Sequence, residues 1–243
     1  MNPLNILWAI AFGVCPQRPS HSLFFDGQQM PIEARMAGIF AGFLIGAGYM
    51  IALGRGRAWL FPGHRMTILL IGFVILLGAD GINATLYDLR LPHLYTPNLP
   101  MRLGTGLVTG LAVSAFLIPA FNATVWRTGK NLSPFSNARD LLGGITLLVI
   151  YFVAAFTGSG ILLYPLSLLG VLGVPVILTL TNATILAAVF RRSNQANRLA
   201  ELAPLLALGF MTTIGILILM SGVRYTLFGI GPLEMPVFTW KGA

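Results

Sequence analysis

Charge is what this chain has least of. Asp, Glu, Lys and Arg make up 9% of it and hydrophobic residues 56%, whereas an ordinary soluble domain is roughly 25% charged. That scarcity excludes a water-soluble globular domain and points to lipid as the solvent. Cysteine is nearly absent too. The single Cys15 rules out an intrachain disulfide framework and says little about redox compartment. Acidic residues are few: seven against fifteen Lys and Arg, a formal charge of +8. Such an excess can mark a nucleic-acid binder, but these arginines lie in short loops between apolar runs, not in one clustered patch, so nucleic acid is not an expected partner. An orientation signal for a membrane protein explains them better.

What the chain has is long apolar runs. Windows at roughly 36–54, 66–87, 102–125, 141–163, 166–190 and 202–223 each approach the ~20 residues that cross about 30 Å of hydrocarbon. The expected fold is all-α, a polytopic bundle of six transmembrane helices. The fourth and fifth windows are separated by little more than Tyr164 and Pro165, which predicts a tight antiparallel pair. Pro119, Pro175 and Pro204 fall inside spans, where neighbouring helices can satisfy the freed carbonyls and local kinks are expected. Ahead of the spans, the apolar run Leu4 to Val14 is too short to cross alone. It has no basic residue before it and no small-residue cleavage pattern after it, so it reads as an interfacial or re-entrant helix and not a signal peptide. Cys15 to Arg35 follows as a polar, proline-punctuated loop.

Orientation comes from the loop cations. Arg55, Arg57 and Arg65 mark the first connection, Arg127, Lys130 and Arg139 the third, and Arg191, Arg192 and Arg198 the fifth; the second has Arg90 and Arg102 and the fourth has none. The odd connections are therefore expected in the cytoplasm. The Cys15–Arg35 and Asp88–Arg102 loops would then share the extracytoplasmic face of a bacterial inner membrane.

The stretch from Asp80 to Gly110 is the expected functional centre, because its charges and amides are costly near a membrane unless each finds a partner. Asp80, Asn83 and Asp88 are spaced to share roughly one helix face. Asp80 is either a functional carboxylate or half of a structural ion pair, with Arg102 as the expected partner. Arg102 lies at the N-terminal end of its span, where the dipole is already positive, so its place calls for an anion: Asp80, or a bound phosphate or carboxylate. Thr105 follows on the same side, Gly106 and Gly110 form a small-xxx-small seam, and Asn98 is placed to cap the helix. With Arg18 and Arg35 of the first loop, the candidate ligand-binding set is Arg18, Arg35, Asp80, Asn83, Asp88, Asn98, Arg102 and Thr105.

Other constellations carry less. Cys15, His21 and Glu33 are chemically able to bind metal, but their spacings of six and twelve match no recognised site and a second thiol is missing, so no metal or cofactor is expected. Cys15 reads as a buried cysteine. Asn-Ala-Thr recurs at Asn83, Asn122 and Asn182 within or at the ends of spans, where interhelical hydrogen bonds suit it better than glycosylation. Asp80-Gly81 lacks the downstream aspartates that a membrane phosphoalcohol transferase needs for its metals.

The segments CPQRPSHS, GQQMPIEARMAGIFAGFLIG, ADG and LPHLYTPNLPMRLGTGLVTG resemble the successive motifs of the bacterial membrane-protein family catalogued as domain of unknown function 2085, over about residues 10–125. Cys15, Pro31, Arg35, Gly38, Ile39, Asp80, Gly81, Asn98, Arg102, Thr105 and Gly106 carry the resemblance. Pro16 stands where the family has His, and Glu33 and Met36 stand where it has later cysteines. The resemblance implies a membrane domain but no activity. It divides the chain into a family-like segment of three spans, 1–125, and a further three-helix segment, 126–243, in the same bundle. Three functions remain open: an outer-face site for an anionic small molecule or lipid headgroup, an accessory subunit contacting other membrane subunits, and a transporter. Membrane lipids are the expected partners in each. The cytoplasmic halves of the spans carry almost no ionisable residues to continue a transport path.

Overall fold

Glycine spacing fixes the centre of the bundle. In the computed structural model, which describes residues 3–229 apart from 192, helix α2 (Ala34–Ala52) carries Gly38, Gly42 and Gly46 at intervals of four, and α4 (Leu99–Val125) meets them with Gly106, Gly110 and Ser114. A Cβ on Gly38 would lie 2.8 Å from the Leu107 amide nitrogen, so the two backbones touch along this seam. The Gly106–Gly110 seam expected on α4 is thus completed by α2, and these two helices form the most closely packed pair.

The other spans are arranged around that pair. Helix α3 (His64–Asp88) packs on α4, where the Thr109 hydroxyl donates to the Phe73 carbonyl at 3.0 Å. Helix α5 (Ala138–Ala155) contacts α2 and α4, with Tyr49 lying against Gly143. Helix α6 (Leu163–Val189) leans on α2, and α7 (Leu199–Phe228) leans on α6. Asn182 of α6 donates to the Thr213 hydroxyl of α7 at 3.0 Å. These six helices are long and apolar enough to cross a membrane, and the faces that α3, α5 and α7 turn outward are rich in exposed Ile, Leu and Val, as hydrocarbon contact requires. Helix α1 (Pro3–Phe12) spans only ~15 Å at 1.5 Å per residue and buries Leu7, Trp8 and Ala11 against its neighbours.

Two sequence expectations need correction. Residues 15–35 are not only loop: β1 (Ser22–Phe25) pairs antiparallel with β2 (Gln28–Glu33). Asp26 and Gly27, both at positive φ (46° and 77°), make the two-residue turn, the Asp-Gly chemistry that suits a hairpin. The fourth and fifth spans are not joined by Tyr164 and Pro165 alone. Helix α5 stops at Ala155, where Thr157-Gly158-Ser159-Gly160 breaks it with Gly158 at φ 69°, and Tyr164 and Pro165 lie in the first turn of α6, where proline is tolerated. That connection is tied to the hairpin turn, since the Gly160 amide donates to the Asp26 carboxylate at 2.8 Å.

Connections gather at the two ends of the bundle. At one end, Arg55 pairs with Asp140 at 2.6 Å, and Asn122 holds the Gly56 and Ala58 carbonyls at 3.0 and 2.8 Å. The Ala196 amide there donates to the Val125 carbonyl. At the other end lie the hairpin loop and the second and fourth connections. Arg192, counted among the loop cations, lies outside the described residues.

Candidate functional site

The hairpin delivers its last residue, Glu33, directly to the start of α2. Glu33 is 7% exposed and accepts from the Arg18 amide at 3.0 Å and from Arg18 Nε at 3.2 Å. Its second carboxylate oxygen is 3.7 Å from His21 Nδ1, longer than a formed hydrogen bond. Burial alone would raise the Glu33 carboxyl, but His21 and Arg18 outweigh it and hold the group below its usual range. Arg18 also reaches Asp88 at 3.4 Å, joining the first loop to the end of α3.

Cys15 is beneath this layer. It is 2% exposed, its sulfur accepts from the Glu33 amide at 3.3 Å, and burial, with the nearby Glu33 charge adding to it, pushes the thiol up to about 12. Cys15, His21 and Glu33 therefore do meet in space. Among the described residues, no group of His, Cys, Asp and Glu is arranged to hold a metal ion.

Two residues beyond Glu33, Arg35 of α2 forms an ion pair with Asp80 of α3 and also donates to the Asp80 carbonyl at 3.3 Å. Asp80 is 2% exposed, and its other oxygen accepts from the Tyr95 hydroxyl at 2.6 Å. Burial, followed by the Asp80 hydrogen bond and charge, pushes that phenol up to about 12. Gly81, beside Asp80, is next to the guanidinium without being required by it: a Cβ there would be in ordinary contact, 4.0 Å from Arg35 Nη1. The partner of Asp80 is thus Arg35, and the expected Asp80–Arg102 pair is not formed. The close α2–α4 seam sets the first turn of α2, and Arg35 with it, against α4, and from there Arg35 reaches Asp80.

Asn83 fixes the second connection over the end of α3. Its amide nitrogen donates to the Tyr95 carbonyl at 2.8 Å and its oxygen accepts from the Leu94 amide at 2.8 Å. Of the three Asn-Ala-Thr asparagines, only Asn182 makes an interhelical bond; Asn83 and Asn122 bind loops. Asn98 caps α4, accepting from the Met101 amide at 2.9 Å. Thr105 spends its hydroxyl on the Met101 carbonyl of its own helix at 2.8 Å. Arg18, Arg35, Asp80, Asp88 and Arg102 are brought into one electrostatic cluster, while Asn83, Asn98 and Thr105 have local structural bonds.

Arg102 differs from the rest. It is 6% exposed, and among the described residues its guanidinium makes no hydrogen bond and no ion pair. It lies within electrostatic reach of Arg35, Asp88, Asp80 and Glu33.

Two residues escaped the sequence reading. Tyr95 gave no signal in its loop. Arg224 did give one, as the lone cation near the end of an apolar run of thirty residues. It donates to the carbonyls of Phe12 at 3.0 Å, Pro16 at 2.6 Å and Cys15, and stacks over the Phe12 ring at 4.1 Å, clamping the end of α1 to α7.

Fold and cluster together define an integral, multi-pass helical membrane protein with a polar cluster at one end of its bundle. Residues 15–116 match the family described as "Predicted membrane protein (DUF2085)". The resemblance read from the motifs holds over that stretch, which contains every candidate site residue named above; residues 117–243, Arg224 among them, lie outside it. No curated protein and no solved structure matches the chain.

Proposed function

We propose that this is a bacterial plasma-membrane protein whose extracytoplasmic face binds an acidic small molecule or lipid headgroup at Arg102. The observation that carries the reading is Arg102, 6% exposed as a residue, whose guanidinium has no carboxylate and no other hydrogen-bond acceptor on it among the described residues. A phosphate or carboxylate bound in a fork geometry would give this guanidinium the charge-assisted hydrogen bonds it lacks. A groove of about 450 Å³ beside the cluster reaches Arg35, which is on its wall with Gly78, Gly81, Ile82 and Thr85 of α3; Arg102 does not line it.

The face follows from charge. The bundle end holding the first, third and fifth connections carries Arg55, Arg57, Arg65, Arg127, Lys130, Arg139, Arg191 and Arg198 against Asp140 and Glu201; the opposite end carries Arg18, Arg35, Arg90, Arg102 and Arg224 against Asp26, Glu33, Asp80 and Asp88. The cation-rich end faces the cytoplasm, which leaves Arg102 outside.

Thermal unfolding in detergent with added glycerol phosphate, a soluble headgroup, tests this. At a hundredfold over Kd, bound ligand stabilises by about 2.7 kcal/mol. The wild type should gain stability as ligand is added and Arg102→Gln should not. Equal gains in both, or none in the wild type with phosphate and carboxylate probes alike, would remove the site.

A further inference from the structure

At the opposite end of the bundle, the ends of α4 and α6 and the start of α7 enclose a cavity of about 660 Å³, a size within the ~300–1,000 Å³ of ligand sites. Its walls are mainly apolar, with Val125, Leu186, Phe190, Leu202 and Leu205 among them. It adjoins the smaller of two hydrophobic clusters, built on Phe121, Val125, Trp126 and Leu202. It stays open for local reasons. The Glu201 carboxylate accepts from the Asn197 amide at 2.7 Å and so fixes where α7 begins, and Pro204 interrupts the next turn.

Arginines neighbour the wall along the chain. Arg191 directly follows the wall residue Phe190, and Arg198 stands between the wall residues Ala196 and Glu201; the Arg127 amide donates to the Ala196 carbonyl at 2.9 Å, while Arg127 itself lines a neighbouring cavity with Trp59, Ala123 and Asn194. All three arginines are exposed. The one carboxylate in the wall, Glu201, is already engaged at the helix start. We infer that this cavity is a binding site for an acidic glycerophospholipid: one acyl chain fills the apolar space and the headgroup phosphate is held by Arg191 and Arg198. A void between spans gains packing when hydrocarbon fills it, whereas water there would meet few polar partners. Basic pockets between spans at a membrane boundary select acidic headgroups. The site is at the other end of the bundle from Arg102 and stands without the reading given to that residue.

The test is native mass spectrometry of the full chain in mild detergent, titrated in turn with phosphatidylglycerol and phosphatidylcholine. The wild type should retain phosphatidylglycerol in preference, and replacing Arg191 and Arg198 by Gln should cut that preference by roughly fivefold for each one removed. Leu205→Trp fills the cavity and should abolish the adduct. If that variant does not fold, Leu208→Phe, at a wall position 48% exposed, decides in its place. A folded, cavity-filled variant that retains phosphatidylglycerol as the wild type does would overturn the site. So would a wild type that holds both lipids equally.

Discussion

Removing one partner of the Arg35–Asp80 pair should cost more than the pair is worth as a unit. Asp80→Asn keeps the shape and can still accept from Tyr95, but it strands Arg35, whose side chain is 21% exposed and can turn partly to water. The expected loss is about 3 kcal/mol, the low end for breaking a buried pair. Arg35→Gln strands a carboxylate that is 2% exposed, with Tyr95 its one remaining side-chain donor, so about 4 to 5 kcal/mol is expected. The double variant restores a neutral amide pair and should lose about 2 to 3 kcal/mol less than the sum. Tyr95→Phe removes a hydrogen bond to a charged acceptor and should cost about 1.5 to 2 kcal/mol. Reversible unfolding in mixed micelles measures all four. The parallel cycle of Asp80 with Arg102 should show the smaller coupling. Additive losses for Asp80 and Arg35, within about 0.5 kcal/mol, would refute the pairing.

Cys15→Ser should accumulate and fold like the parent. Because burial raises the thiol to about 12, the folded wild type should resist maleimide up to about pH 9 and react once unfolded; reaction at neutral pH in the folded state would contradict that burial. Gly38→Ala sets a methyl 2.8 Å from the Leu107 nitrogen and 3.0 Å from the Gly106 carbonyl carbon, and should destabilise by about 1 to 3 kcal/mol; a neutral effect would mean that the α2–α4 seam is looser than described. For topology in a Cys15→Ser background, Thr128 and Ser193 are the positions to replace by Cys, since a Cβ on Gly129 would run into the Trp59 ring. Both should be shielded from impermeant thiol reagents in intact cells, while Thr96→Cys should label; the reverse pattern would invert the membrane orientation.

The spans were legible because hydrocarbon imposes one rule, a run of apolar residues of fixed length, and five of the six windows lie close to the helices. The exception came from reading Phe156 to Leu162 as span: the run is apolar, but its glycines cannot hold a helix there. The hairpin is signalled by Asp26-Gly27, but its strands are only four and six residues long and the second contains Pro31, which weakens a strand pattern. The cap at Asn98 follows from local chemistry alone. The pairing of Asp80 was not readable, since Arg35 and Arg102 are equally able to neutralise it and the choice is made by the glycine seam, a tertiary fact. Arg224 binds backbone carbonyls about 210 residues away in the chain, a distance over which spacing carries no information.

The most direct test of an anion at Arg102 is native mass spectrometry of the lightly purified protein, comparing the wild type with Arg102→Gln and Leu205→Trp. The account predicts a phosphate-bearing adduct that Arg102→Gln lacks and Leu205→Trp keeps. An adduct pattern unchanged by Arg102→Gln in a folded protein would contradict it.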